Sequence, residues 1–315
     1  MKNHAFFMAR LPGRDVVIAF PSQEGDWVVN DHLNKGPVHF SPESIEKVEV
    51  LPSPLPAPTS PSAYKKAFRS FQTSFLRDDI EKAILSAVII VDLFPGFDPV
   101  GYFKQLSVQY PGAFTYLLHH PSEGLWCGAS PEILIQGSKN KYRTTALAGT
   151  QRKNSRNEYS WGNKEVEEHA YVVDFIEKVL TVVGAGHISK SKRYTSVAGD
   201  VAHLKTDFGF TFGEEIQKIV KELHPTPAVA GTPRDRALDL IRRFEEHRRS
   251  LYTGYLGKTG SETEIYVNLR CMQIGEGKAA IYTGGGLTRD SDPDSEWQET
   301  RLKAKTLLNL LKTAH

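Results

Sequence analysis

Four short runs, "GAFTYLLHHP", "GLWCGAS", "EILIQGS" and "KYRTTALAGT", follow one another between residues 112 and 150 with only Gly, Pro and Ser punctuation between them. A parallel strand pair needs a crossover of a dozen or more residues, so a block this dense does not fit regular βαβ alternation. A second block, "LYTGYLGK", "TEIYVNLRCMQI" and "KAAIYTGGGL", occupies 251–287. Helical stretches stand apart from these blocks. "SAYKKAFRSFQTSFLRDDIEKAILSA" reads as helix and turns strand-like at "AVIIVDLF". "NKEVEEHAYVVDFIEKVLTVV" carries apolar residues at 166, 170, 173, 176 and 180, one helical face. "EEIQKIVKEL", "RDRALDLIRRFEEH" and the C-terminal "SDPDSEWQETRLKAK" are further helices. The class implied is α+β.

The clearest compositional break is "LPSPLPAPTSPSAY" at 51–64, with five prolines between Pro52 and Pro61. It predicts an extended linker between a strand-rich segment, 1–50 ("RDVVIAF", "DWVVND", "VHF"), which adds to the main sheet, and a main body, 65–315. A net charge of +2 with interspersed signs points to neither nucleic acid nor a membrane surface. The apolar run "AILSAVIIV" is too short to span a bilayer, and the N-terminus lacks an extended apolar signal region. Cys127 and Cys271 sit in unrelated contexts, which predicts no disulfide framework and suits a reducing cytoplasm.

Several residues could carry chemistry. Glu165 and Glu168 share one helical face; Glu296, Glu299 and Lys303 share another, apart from Trp297, Ala304, Leu308 and Leu311. Two such faces meeting could hold Mg²⁺, which prefers carboxylate, water and substrate oxygens; two solvated faces fit the same spacing. "YTGGGL" at 282–287 ends a strand and reads as an anion-binding nest or an ordinary tight turn, and "ALAGT" at 146–150 shares the ambiguity. "HPTPAVAGTPRD" at 224–235 is a stiff connector or a ligand wall. Lys82 lies at a helix-to-strand junction in apolar surroundings that disfavour its charge, unless it snorkels. Glu132 follows Pro131 in "GASPEIL", and Arg270 reads as a lone charge within the strand "IYVNLRCM", either reaching solvent or meeting an anionic ligand.

Taken in order, "EKAILS", "GASPE", "ALAGT", "EEH", "AHL", "LHPTPAVAGTPR", "YVNLRC", "YTGGG" and "DSEWQETRLK" resemble the chorismate-utilising enzymes: isochorismate synthase, salicylate synthase, and the large subunits of anthranilate and aminodeoxychorismate synthases. The resemblance runs from about residue 65 to the end. It implies two large packed sheets with helices outside and the site between them. It implies that Glu168 and Glu299, with Glu296 nearby, hold Mg²⁺. By the same resemblance, Lys303, Arg270, Gly149, Thr150 and Gly284 hold substrate carboxylates, Tyr252 contacts the enolpyruvyl side chain, and His203 lies beside the ring.

Members differ in the incoming nucleophile. The lysine of "K-x-x-L-S", here Lys82, resembles the general base of the water-adding members, and Glu132 of "GASPE" resembles the acid that protonates the departing C4 hydroxyl. Ala148 stands where aminodeoxychorismate synthases place a nucleophilic lysine, and no glutaminase domain is expected within these 315 residues, although a separate subunit could supply ammonia. The resemblance therefore implies Mg²⁺-dependent conversion of chorismate to isochorismate, for menaquinone or siderophore supply, by a cytoplasmic monomer or weak homodimer. Salicylate synthase is the runner-up, decided around Ala228, Val229 and Tyr252. An aminating subunit or a non-catalytic chorismate-binding subunit stands behind it. The sequence departs from the family pattern at Ala87, where many relatives have arginine, at Ala146, in place of a proline, and in its short N-terminal region.

Overall fold

The computed structural model describes residues 5–22, 25–33, 35–42, 54–77, 79–154, 158–198 and 201–313. Numbered in chain order, the first layer runs β13 (Gly231–Thr232), β5 (Lys82–Asp92), β17 (Lys278–Leu287), β16 (Cys271–Ile274), β7 (Gly124–Ser130), β6 (Phe114–His120), β1 (Phe6–Arg10) and β2 (Val16–Pro21). Short β4 (Val38–Pro42) pairs with both β2 and β3 (Trp27–Asn30) and so joins the layers. The second layer continues from β3 through β14 (Tyr255–Lys258), β15 (Glu262–Val267), β8 (Ile133–Ser138), β9 (Lys141–Arg152) and β12 (Val201–Thr211). The last of these carries β10 (Gly186–Lys190) and β11 (Tyr194–Ala198). Every pairing is antiparallel, as the dense strand blocks require.

Between the layers lies an aromatic core that includes Phe7, Trp27, Phe114, Trp126, Tyr266 and Tyr282. Its rings stack closely: those of Phe114 and Tyr266 are 4.9 Å apart and within 9° of parallel. Among the described residues six helices cover the outer faces. Against the second layer pack α3 (Asn163–Val182) and α4 (Ile216–Leu223). Against the first pack α2 (Pro99–Gln109) and α6 (Pro293–Thr313), and α1 (Pro61–Leu76) with α5 (Arg234–Phe244) over β5. From residue 54 the proline-rich stretch lies against the first layer: Pro54 accepts from Gln273, and the Thr59 N–H donates to the Val88 carbonyl.

Four local expectations change. Lys82 is not at a helix-to-strand junction: α1 ends at Leu76 and Lys82 opens β5, because "KAILSAVII" is an apolar run buried on both faces. The glycines of "YTGGGL" form neither turn nor nest; they continue β17, paired with β5 as far as Leu287–Ala83. The buried stripe of α3 is His169, Val172, Ile176, Val179 and Leu180, and Ala170 faces solvent. Finally, 186–211 forms three strands that the polar, exposed β10 and β11 disguise, and β1 and α2 were also not expected.

Candidate active site

Two chain crossings build one end of the space between the layers. β7 leaves the first layer at Ser130 and re-enters the second as β8 at Ile133, while β15 makes the reverse passage into β16 through Asn268–Arg270. The crossings brace each other: the Val267 N–H donates to the Glu132 carbonyl at 2.9 Å and the Ala129 N–H to the Arg270 carbonyl at 3.1 Å. Glu132 and Arg270 therefore sit where the sheets part. Arg270 adopts φ +50°, a conformation costly for a non-glycine residue, which marks the corner as held by its surroundings.

A bulge positions the third group. Gly149 and Thr150 of β9 stand opposite the single residue His203 of β12. Gly149 takes φ +71°, and a Cβ there would come within 3.0 Å of the Glu165 side chain. His203 Nδ1 lies 2.8 Å from the Gly149 carbonyl and 3.3 Å from Thr150 Oγ1. A carbonyl only accepts, so Nδ1 carries the proton and Nε2 is left as an acceptor. Burial and the Arg270 charge push the imidazole down to about 4, which keeps it neutral.

The floor is the glycine run. β16 pairs with β17 only to Tyr282, so beyond it that edge of β17 faces the cavity. A Cβ on Gly284 would approach Tyr252 Oη to 2.8 Å, and one on Gly286 would meet Glu168 Oε1 at 2.0 Å. One on Gly285 would sit 3.0 Å from Glu296 Oε2 and 4.0 Å from Glu299 Oε1. Glycine is required there because carboxylates from two helices overhang the strand. On each helix an inward-facing carboxylate stands ahead of the buried positions: half-buried Glu168 one turn before Val172 and Ile176, and buried Glu296 before Thr300, Ala304 and Leu307.

Each carboxylate has a lysine. Lys82 Nζ, on a side chain only 1% exposed, lies 3.1 Å from Glu168 Oε1, Lys303 Nζ lies 2.7 Å from Glu299 Oε1, and Lys164 pairs with Glu296 Oε1. Lys303 also donates to the Gly284 carbonyl at 2.8 Å. Burial alone would raise the Glu299 carboxyl, but the Lys303 and Lys164 charges outweigh it and hold it below its ordinary value. Glu296 goes the other way, raised by burial and by Glu299 against Lys164. Glu132 has no such direct partner among the described residues. Burial pushes its carboxyl from 4.5 up to about 7, despite Lys82, Arg270 and Lys303. Arg270 has no carboxylate within ion-pair distance among the described residues, and burial lowers its guanidinium from the ordinary value. A desolvated cation without a counter-ion is a site for an anionic ligand.

Lys82, Glu132, Gly149, Thr150, Glu168, His203, Tyr252, Arg270, Gly284, Glu299 and Lys303 line one cavity; Glu296 lies just behind it. Ala228 and Val229 of the 224–235 loop form part of its wall.

The profile of the chorismate binding enzymes matches residues 37–312, nearly the whole chain. The chain belongs to this family. Among its relatives, the isochorismate synthase EntC of Escherichia coli K12 is 27% identical over 73% of this chain and 62% of its own length. The chain thus aligns with less than two thirds of that relative. Among solved structures, the menaquinone-specific isochorismate synthase MenF of Escherichia coli superposes with a TM-score of 0.85 over 98% of this chain and 88% of its own, at 19% identity. Anthranilate synthase component I of Streptococcus pneumoniae superposes at 0.68 over 82% and 60%, with 21% identity. The chorismate-binding fold is thus that of anthranilate synthase component I, two antiparallel sheets with six outer helices.

The donor set suits the Mg²⁺ that the family resemblance implies. The oxygens of Glu296 and Glu299 overhang Gly285, that of Glu168 overhangs Gly286, and Glu296 Oε2 is buried with no hydrogen-bond partner. As placed, each carboxylate leans to its lysine, and no three acidic, His or Cys side chains among the described residues form a complete ligand set. Sequence reasoning missed three residues here. Lys164 stands four residues before Glu168 and resembles a routine i,i+4 partner for it. Ser291 donates to Glu296 Oε1 at 2.9 Å. Thr283 lines the cavity with a buried, unpartnered Oγ1, and no spacing signal marks it.

Proposed function

We propose that this chorismate-binding enzyme interconverts chorismate and isochorismate. The observation that carries the reading is the pairing, in one cavity, of a fully buried lysine with a buried carboxyl group whose proton is held to about pH 7.

The substrate is a dianion. Arg270, with no carboxylate in ion-pair distance among the described residues, offers a planar fork to one of its carboxylates, and Lys303 with the β17 edge at Gly284 lies beside the other. Mg²⁺, held by Glu168 and Glu299 with Glu296 beside them, would neutralise the ring carboxylate in an otherwise acidic corner. Lys82, as the general base, takes a proton from a water directed at C2. As the C2–O bond forms, the ring double bonds shift and the C4–O bond breaks. Glu132 gives its proton to the departing hydroxyl, which leaves as water. One water enters and one leaves. The products of the step are a protonated Lys82 and an ionised Glu132, which are the acid and base for the return reaction. Neutral His203 and Tyr252 line the ring and side-chain region without competing for a proton.

The test is to incubate the protein with chorismate and Mg²⁺ and resolve the products by chromatography. Isochorismate alone is expected; salicylate with pyruvate would replace this reading by the salicylate synthase one, and anthranilate on adding ammonia by an aminating one. Binding without turnover would make the chain a chorismate-binding subunit.

A further inference from the structure

Lys164 is not among the residues lining the cavity, yet it reaches from α3 to a carboxylate on α6. The two oxygens of that carboxylate differ. Glu296 Oε1 takes both available donors, the Lys164 ammonium and the Ser291 hydroxyl. Ser291 Oγ in turn accepts from the Thr288 N–H at 3.1 Å, so its own proton is committed to Glu296 and its position to the end of β17. Oε2 receives nothing: it is buried, unpartnered, and overhangs Gly285 together with Glu299 Oε1. A carboxylate with one oxygen tied by two donors cannot rotate, and its free oxygen is presented to the site.

We propose that Lys164, with Ser291, is a positioning residue for the metal: it locks Glu296 so that Oε2 is held ready as a cation ligand beside Glu299. This rests on the proposed Mg²⁺ site and adds to it an orienting shell that also ties α3 to α6. A lysine that instead filled the metal's place would affect binding with the opposite sign, so the direction of change decides between the two roles.

The experiment measures binding of Mg²⁺ alone to the whole protein by calorimetry, and of Mn²⁺ alone by its electron paramagnetic resonance, with no substrate present. Removing an orienting partner of this kind typically weakens metal affinity by about 10–100-fold. Lys164→Met is expected to fall in that range, Ser291→Ala toward its lower end, and Lys164→Arg to restore most of the affinity. Ser291→Ala removes a single neutral donor and keeps the test available if Lys164→Met folds poorly. Melting without metal, compared across the three variants, separates orientation from general loosening: Lys164→Arg and Ser291→Ala should melt close to wild type. Unchanged affinity in Lys164→Met and Ser291→Ala would overturn the proposal, and tighter binding in Lys164→Met would make Lys164 a competitor of the metal. If wild type itself binds neither ion, the metal site fails and the proposal with it; wild-type binding matched by the variants sinks the proposal alone.

Discussion

Two clusters of buried charge lie within a few residues of each other along β5, and they are built to opposite standards. In the first, Glu245 and Arg249 satisfy one another completely. Arg249 Nε and Nη2 donate to the two Glu245 oxygens at 2.9 and 2.7 Å. Its remaining donors reach the Val229 and Ile84 carbonyls, and the Ser86 N–H adds a third bond to Glu245. Despite burial, the Arg249 charge and these bonds hold the Glu245 carboxyl below its ordinary value. In the second cluster, around Lys82, Glu132, Arg270 and Glu296, burial is similar but the partners run out. Glu132 is raised to about 7, and among the described residues Arg270 has no carboxylate partner and Glu296 Oε2 and Thr283 Oγ1 are unbonded. Folding alone would favour the first arrangement everywhere, since each unpaired buried polar group carries a desolvation cost. The second is the one a dianion, a metal and a reacting water could complete. The difference separates a structural clasp from a site.

That division can be broken by substitution. Arg249→Ala should destabilise the fold by about 3–5 kcal/mol, because it strands Glu245 without its counter-ion. Urea unfolding measures it, and a variant of near wild-type stability would erase the distinction. Lys82→Ala should act mainly on turnover, which falls by about 10²–10⁴-fold, the usual worth of a general base; the Glu168 it leaves unpaired lines the cavity rather than the packed core, so the protein stays folded. Full activity in this variant would remove Lys82 from the mechanism.

The two buried glutamates should also respond to pH with opposite slopes. Glu132 keeps its proton to about pH 7 when folded, against 4.5 ordinarily. Through that window the folded chain binds more protons than the unfolded one, so its contribution to stability falls as pH rises, by roughly 3 kcal/mol in all. Glu132→Gln cannot ionise and should gain stability over wild type at pH 8 but not near pH 4. Glu245, held low, contributes stability above 4.5 that is lost as pH falls through its folded value. Thermal melts of wild type, Glu132→Gln and Glu245→Gln across this range give both signs. A smaller effect is expected at the floor: Gly286→Ala must displace the Glu168 oxygen at 2.0 Å or the Lys82 Cε at 3.1 Å. It should cost about 1–3 kcal/mol by overpacking and lower activity with it.

Much of the cavity was legible because its residues sit in short motifs whose order identifies the family, Glu168 in "EEH" and Glu299 in "EWQET" among them. Local pattern did less well. The three glycines looked like a turn because glycine usually marks one, whereas here the overhanging carboxylates demand it, from α3 far upstream in the chain and from α6, which folds back over the strand it follows. β12 was readable in principle, since Leu204, Thr206, Phe208 and Phe210 alternate as buried residues, but exposed β10 and β11 hide the block. The roles of Lys164 and Ser291 depend on α3 meeting α6, a contact that no single stretch encodes.

In the proposed reaction the oxygen gained at C2 comes from water and the C4 oxygen is lost. Initial turnover of chorismate in ¹⁸O-enriched water, followed by mass spectrometry, tests this directly. One heavy oxygen on C2 of isochorismate, with the original C4 oxygen lost to solvent, is the predicted result. A product formed without incorporated label would contradict it.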